Sequence, residues 1–305
     1  MFSIVKKTEP VVIGGITVTI YGDAGTGKTT LANTASKPII IDFDNGYHRS
    51  SYRQEYIPIG SWADISDNMH TFFDAIAEYD TIVIDTVGSM LDYITIHLIE
   101  REPRLAKATM QMYGELKKTF QDFHRRLTAM NKNVVFIAHA REKEENEQRR
   151  LRPNAQGSSY DLVIQKSDLV GYMTVVGGKT VLDFDATEQK IGKNCANLKP
   201  MVIGDLVDIK DFMADLFTDV KRTLQLNNEK QTESIESMNS LISEAQQLSD
   251  ADEFNAFIDV ISTSGLNKSE KLQIWNKVIN LAKQKGIQYI AKNKVFVDSS
   301  EVEND

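Results

Sequence analysis

The sequence predicts an α/β fold: a mainly parallel sheet flanked by helices, then a small helical appendage at the C-terminus. Three observations carry this. Short β-branched runs alternate with stretches of helical periodicity up to about residue 220, the pattern of right-handed βαβ units. Several of the runs are apolar throughout, as in Ile39-Ile40-Ile41 and Ile82-Val83-Ile84, which suits strands covered on both faces. Between the first run and a helix start stands Gly22-Asp23-Ala24-Gly25-Thr26-Gly27-Lys28-Thr29-Thr30, spaced as G-x-x-x-x-G-K-[ST].

The elements follow in order. Val11 to Tyr21 forms the first strand region, with Gly14-Gly15 as a hairpin turn within it. Pro38 opens the strand Ile39 to Asp44, and Tyr56 to Ile59 gives a short one. Ile65, Met69, Phe72, Phe73 and Ile76 mark an amphipathic helix. The strand Thr81 to Thr86 leads into a helical region that breaks near Pro103 and resumes from Met110 to Met130. Asn133 to His139 is another buried strand, and Ala140 to Ser159 reads as a charged loop. Val170 to Phe184 reads as a hairpin about Gly177-Gly178. A helix through Leu206, Ile209, Phe212, Met213, Leu216 and Val220 closes the core. The expected organisation is a core over 1–225, a linker over 226–232, a helical domain over 233–297 and an acidic tail over 298–305.

The chain has 305 residues, 41% hydrophobic and 26% charged, as in ordinary globular proteins. A net charge of −8 argues against coating nucleic acid by bulk charge and leaves room for a local basic patch. The single cysteine, Cys195, excludes an intrachain disulfide and fits a reducing cytoplasm. No apolar run is long enough to cross a bilayer, and MFSIVKKTEP lacks a signal-peptide core, so no membrane association and a cytoplasmic location are expected.

Each residue of the glycine-rich turn has a physical task. Glycines permit backbone angles closed to other residues, so that successive N–H groups converge on phosphate oxygens. Residues 22–30 are thus the expected cradle for a nucleoside triphosphate, with Lys28 adding a mobile positive charge for the β- and γ-phosphates. The helix that follows is expected to point its positive dipole end at them. The Thr29 hydroxyl and Asp85, an acid ending an apolar strand, are the candidate Mg²⁺ holders. Thr86 follows Asp85, so a catalytic base cannot stand there. His48, His70, His97 and His124 show no metal-ligand spacing.

The order of these pieces resembles the RecA-like ATPases, and in particular phage-encoded RecA/RadA-related proteins of single-strand annealing and recombination. The pieces are GDAGTGKTT, IIIDFDNG, TIVIDTVGSM, Met112-Tyr113-Gly114, NVVFIAHAREK, Arg152-Pro153, Asp168 and Ile191-Gly192-Lys193-Asn194-Cys195, over residues 10 to 205. The resemblance implies a RecA-like P-loop NTPase core. It implies that Asp44, with Asp42 as the alternative, orients the attacking water where relatives usually carry glutamate. It gives His139 the place of a γ-phosphate sensor and Lys193 a reach to a neighbouring subunit's ATP, although Cys195 replaces the arginine of that K-N-R motif. Two DNA-contacting loops are implied, one carrying Arg141, Arg149, Arg150 and Arg152, the other Arg101, Arg104 and Lys107. The expectation is therefore a Mg·ATP-dependent ATPase on single-stranded DNA, forming a homo-oligomeric ring or filament, with a phage or host single-strand-binding protein as a further partner. The alternatives are a P-loop motor or loader acting on a protein, and an ATP-gated scaffold with little hydrolysis.

Overall fold

A computed structural model describes residues 6, 8–9, 11–50, 52–145, 148–154, 159–204 and 210–302. In chain order the elements are β1 (Thr17–Gly22), α1 (Lys28–Ala32), β2 (Pro38–Asp42), β3 (Glu55–Pro58), α2 (Ala63–Ser66), α3 (Met69–Ala75), β4 (Thr81–Asp85), α4 (Val87–Arg101) and α5 (Thr109–Ala129). Then come β5 (Asn133–Glu145), β6 (Gln148–Pro153), α6 (Ser159–Lys166), β7 (Leu169–Val176), β8 (Lys179–Asp183), β9 (Lys193–Asn194) and β10 (Met201–Ile203). The last are α7 (Phe212–Gln247), α8 (Ala251–Thr263), α9 (Lys268–Gln284), β11 (Ile287–Ile290), β12 (Val295–Asp298) and α10 (Ser299–Val302). Two compact units result, Ile13–Leu224 and Gln225–Asp305 together with Met1–Val12.

The first unit is the α/β P-loop core that the sequence predicts. Its main sheet runs β10-β8-β7-β1-β5-β4-β2-β3, with β6 added to β5 and β9 to β7. From β7 to β3 every pairing on that path is parallel; β8 and β10 close one side antiparallel. Strict alternation along each strand feeds two separate cores. Ile39, Ile41, Ile82, Ile84, Val134 and Phe136 face α3, α4 and α5, whereas Ile40, Val83, Val135 and Ile137 face α1 and the first turns of α7. Apolar on both sides, these strands can only be central.

Register then decides what gathers at the C-terminal edge of the sheet. Gly22 pairs with His139 across β1 and β5, and Asp42 pairs with Asp85 across β2 and β4. At the opposite edge, polar side chains tie loops to strand starts. Asn131 Oδ1 accepts the Gly15 N–H at 3.0 Å, Asn133 Oδ1 accepts the Ile16 N–H at 3.1 Å, and Ser36 Oγ donates to Asp80 at 2.9 Å.

Several expectations need correction. Residues 11–16 form no strand, so Gly14-Gly15 is not a hairpin turn; a Cβ on Gly15 would collide with the Lys132 carbonyl. Much of the charged stretch after His139 is strand rather than loop: β5 runs on past the sheet and pairs antiparallel with β6, while positions 146–147 and 155–158 lie outside the described residues. The β7–β8 hairpin turns as expected at Gly177 and Gly178, with φ of 58° and 78°. Residues 226–232 are helical, inside α7. The helix expected from Leu206 begins at Phe212, and positions 205–209 lie outside the described residues, as do 303–305 of the tail.

The second unit packs the end of α7 with α8 and α9, around Ala245, Phe254, Phe257, Ile261, Ile274 and Val278. An antiparallel pair, β11 and β12, completes it, an element the helical reading missed. Phe296 of β12 sits 5.4 Å from the Phe254 ring, and the Asn255 side chain binds its backbone at both N–H and C=O.

Candidate nucleotide site

The loop after β1 is shaped by its glycines. A Cβ on Gly22 would collide with the Met173 carbonyl of β7, and Gly25 and Gly27 take left-handed φ of 78° and 88°. The helix that follows is only Lys28–Ala32, because the Thr34 hydroxyl turns back to the Leu31 carbonyl. Five residues sum to a small macrodipole, so the loop amides rather than a long helix must bear the anion-binding expected there. Lys28 is buried, and its Nζ donates to the carbonyls of Gly22 at 3.0 Å and Asp23 at 2.7 Å. Burial lowers its pKa, against the pull of Asp85, Asp23 and Asp44.

Thr29 Oγ1 donates to Asp85 Oδ2 at 2.7 Å, joining two groups 56 positions apart that the sequence singled out separately. Burial pushes the Asp85 carboxyl up to about 6; the charges of Asp44 and Asp42 push the same way, and the Thr29 hydrogen bond and Lys28 oppose them. Asp44 lies beside this pair. The His139 ring, 3.8 Å from Oδ2, holds its carboxyl below the ordinary value against burial, and the Ser89 and Thr86 hydroxyls add to this by donating to Oδ1.

Asp42 is employed differently. Its buried carboxylate accepts the N–H groups of Asp44, Gly46 and Tyr47 at 3.1–3.3 Å, closing the turn after β2. Of the two aspartates weighed from the sequence, Asp44 is therefore the one that lines the cleft.

The cleft measures about 560 Å³ and is lined by the phosphate loop, Asp44, Gly46, Ser50, Asp85, Thr86 and His139. That is the size of a small-ligand site. Its donor set fits a nucleotide with a hard divalent cation: oxygens at Thr29 and Asp85, an ammonium at Lys28, and backbone opened by the glycines. Thr86 and Ser89 escaped the sequence reading as site residues. The T-x-x-S spacing, in which Thr86 caps α4 by accepting the Ser89 N–H at 3.3 Å, was the available signal.

The other candidates stand apart. Lys193 is not among the cleft residues; in β9 its Nζ donates to the Ser167 carbonyl, and Asn194 closes a turn with Leu198. Arg101 ends α4, while Arg104, paired with Glu102, and Lys107 belong to the turn before α5. The remaining arginines lie on the β5–β6 arm, where pairing sorts them by face. Arg141 opposes Arg152 and Lys143 opposes Arg150, so four cations share one face. Glu142 opposes Leu151 and Glu144 opposes Arg149 on the other, which separates Arg149 from its neighbours in sequence. The arm is rooted in the core: Leu151 exchanges backbone bonds with Gln189 and Ile191, Arg150 donates to the Thr187 carbonyl at 3.0 Å, and the Asn154 N–H donates to the His139 carbonyl at 2.7 Å. Among the described residues no helix is long and apolar enough to cross a membrane.

A family model described as an AAA domain matches residues 14–196. The chain is 26% identical over 289 residues to the SPbeta prophage-derived uncharacterized protein YorG of Bacillus subtilis strain 168, covering 90% of this chain and 87% of that one. Among solved structures, the flagellar accessory protein FlaH of Methanocaldococcus jannaschii aligns at 15% identity and a TM-score of 0.33, over 62% of this chain and 84% of its own. A KaiC-like protein of Pyrococcus horikoshii OT3 aligns at 14% identity and a TM-score of 0.33, over 56% and 78%.

Proposed function

The chain belongs to the AAA-domain family, and on that premise we propose a RecA-like ATPase that uses Mg·ATP, binds single-stranded DNA and assembles with itself. The observation that carries the reading is convergence. Lys28, Thr29, Asp85, Asp44 and His139 come from four separate segments and line one cleft, and the strand bearing His139 continues into the basic arm.

In this reading the loop amides and Lys28 hold the phosphates, and Thr29 and Asp85 hold the cation. When bound, Mg²⁺ neutralises charge on the phosphate oxygens. Asp44 accepts a hydrogen bond from the attacking water and so aims its oxygen at the γ-phosphorus. His139 offers a donor to the γ-phosphate from the base of the arm. Arg141, Lys143 and Arg152, on the face that Arg150 anchors, pair with the phosphates of a single strand, giving affinity without sequence preference. The likeness to a prophage-derived relative supports a phage origin, hence a host-cytoplasmic location and a single-strand-binding protein as neighbour. Lys193 would act on the ATP of an adjacent copy in a ring or filament.

The deciding experiment measures ATP turnover with and without single-stranded DNA. Stimulation by DNA is expected. Unstimulated turnover, with the salt dependence of DNA binding absent, would favour a motor or loader acting on a protein; nucleotide binding without turnover would favour an ATP-gated scaffold.

A further inference from the structure

A carboxylate that aims a water molecule must itself be aimed. Rotation about the Cβ–Cγ bond of aspartate is broad and nearly two-fold, so burial alone does not fix which oxygen faces where. At Asp44 two hydroxyls remove that freedom. Thr86 Oγ1 donates to Oδ1 at 3.2 Å, and Ser89 Oγ donates to the same oxygen. The donors are held in turn: their hydroxyl oxygens are 3.2 Å apart, and the Ser89 N–H donates to Thr86 Oγ1 at 3.3 Å in the first turn of α4. The Asp44 N–H donates to the Asp85 carbonyl at 3.3 Å. The turn after Asp85 thus grips Asp44 at both backbone and side chain, and Oδ2 is the oxygen turned toward His139.

We propose that Ser89, supported by Thr86, is a positioning residue for hydrolysis: it locks Oδ1 of Asp44 so that Oδ2 presents to the attacking water. The proposal rests on Asp44 being the water-orienting carboxylate. Ser89 stands in the first turn of a helix capped by Thr86, and its side chain belongs to neither apolar core.

The test compares Ser89→Ala, Ser89→Thr, Asp44→Ala and the Ser89→Ala/Asp44→Ala double variant in the full chain. Each is measured for kcat, KM, affinity for a fluorescent ATP analogue with Mg²⁺, and melting temperature. Loss of the Ser89 hydroxyl is expected to lower kcat about 10-fold, with KM and analogue affinity within about two-fold, since only the transition state needs the aimed carboxylate. Ser89→Thr, which keeps the hydroxyl, restores most of the rate. In the Asp44→Ala background Ser89→Ala costs nothing further, because residues acting through one another are not additive. Equal losses in both backgrounds, or a fall in analogue affinity matching the fall in rate, would overturn the proposal. Full activity of Ser89→Ala beside an impaired Asp44→Ala would overturn it while leaving the role of Asp44 standing. Full activity of Asp44→Ala would remove both.

Discussion

Two clefts of nearly equal volume lie at opposite edges of the central sheet, about 560 Å³ beside the phosphate loop and about 530 Å³ between Ser36, Asp80, Asn131–Asn133 and α7. Size does not distinguish them. In the first, charged groups face one another: Lys28 is buried among three aspartates, and Asp85 is pushed up to about 6. In the second, most polar side chains are bonded to backbone, although Asp80 and Lys221 also line it, the Lys221 pKa lowered by burial against the charge of Asp80. Asn131 and Asn133 accept main-chain N–H groups, and Lys132 donates to the Ala77 carbonyl at 2.8 Å. The first edge gathers Lys28, Asp44 and Asp85 around a loop opened by glycines; the second chiefly fastens loops to the sheet.

The contrast predicts opposite consequences for substitutions. The largest effect is expected for Lys28→Ala, which removes the cation held for the phosphates. Turnover should fall by on the order of 10³-fold or more with the fold retained, because the buried Lys28 side chain belongs to neither apolar core. Wild-type turnover in that variant would exclude this cleft as the active site. Asp44→Asn, which keeps shape and removes charge, should cost about 10²-fold in kcat with nucleotide affinity retained. If Asp42→Asn gave that pattern instead, the turn carboxylate would be the catalytic one.

His124 tests whether a shifted pKa by itself marks function. Its ring is buried against Phe120 and Phe136, and burial lowers its pKa from 6.5 to about 4, with Lys166 adding to the effect. Above pH 6.5 the ring is neutral in both folded and unfolded chains and pH has no leverage. Below 6.5 the unfolded chain binds the extra proton first, so stability falls with acidification until about pH 4, by up to about 3 kcal/mol. His124→Phe should flatten this dependence and leave turnover at pH 7 unchanged; an altered kcat would give the histidine a role that burial does not. At the fastening edge, Asn133→Ala orphans the Ile16 N–H and should cost about 1–3 kcal/mol, with kcat preserved. A loss of turnover without loss of stability would reverse the contrast between the two edges.

The smallest effect belongs to the arm and separates its faces. Arg141, Lys143 and Arg152 replaced together by Ala should weaken single-strand binding and flatten its salt dependence by up to about two units, at about 0.7 per phosphate contact. Arg149→Ala, on the opposite face, should leave the slope unchanged. Equal changes for both variants would mean that the arm does not present one face to DNA.

The sequence revealed what short-range chemistry dictates. The phosphate loop was legible because Gly22, Gly27, Lys28 and Thr29 are fixed by contact with a single ligand and by backbone angles few residues adopt. The central strands were legible because apolar runs have one good location. The arm was not, since its period-two pattern is written in charges of both signs, Arg141-Glu142-Lys143-Glu144, where no hydrophobic alternation announces a strand. The choice between Asp42 and Asp44 was also invisible, because two positions on one strand end differ only in which way the chain turns next. Only the three N–H groups converging on Asp42 reveal it. The Ser89 contact depends on bringing β2 beside β4, a pairing between segments more than 40 positions apart.

Gly88 stands between Thr86 and Ser89, and a Cβ there would come within 3.1 Å of the Asn154 carbonyl oxygen at the end of β6. Asn154 is hydrogen-bonded to His139, His139 faces Asp44, and Asp44 is held by the residues on either side of Gly88. These contacts place the start of α4, the base of the arm and the Asp44 carboxylate in one closely packed neighbourhood. A fluorescent dye on the arm tests whether this neighbourhood moves as one: a change in emission on adding Mg·ATP is expected, and no change would leave the arm mechanically separate from the cleft.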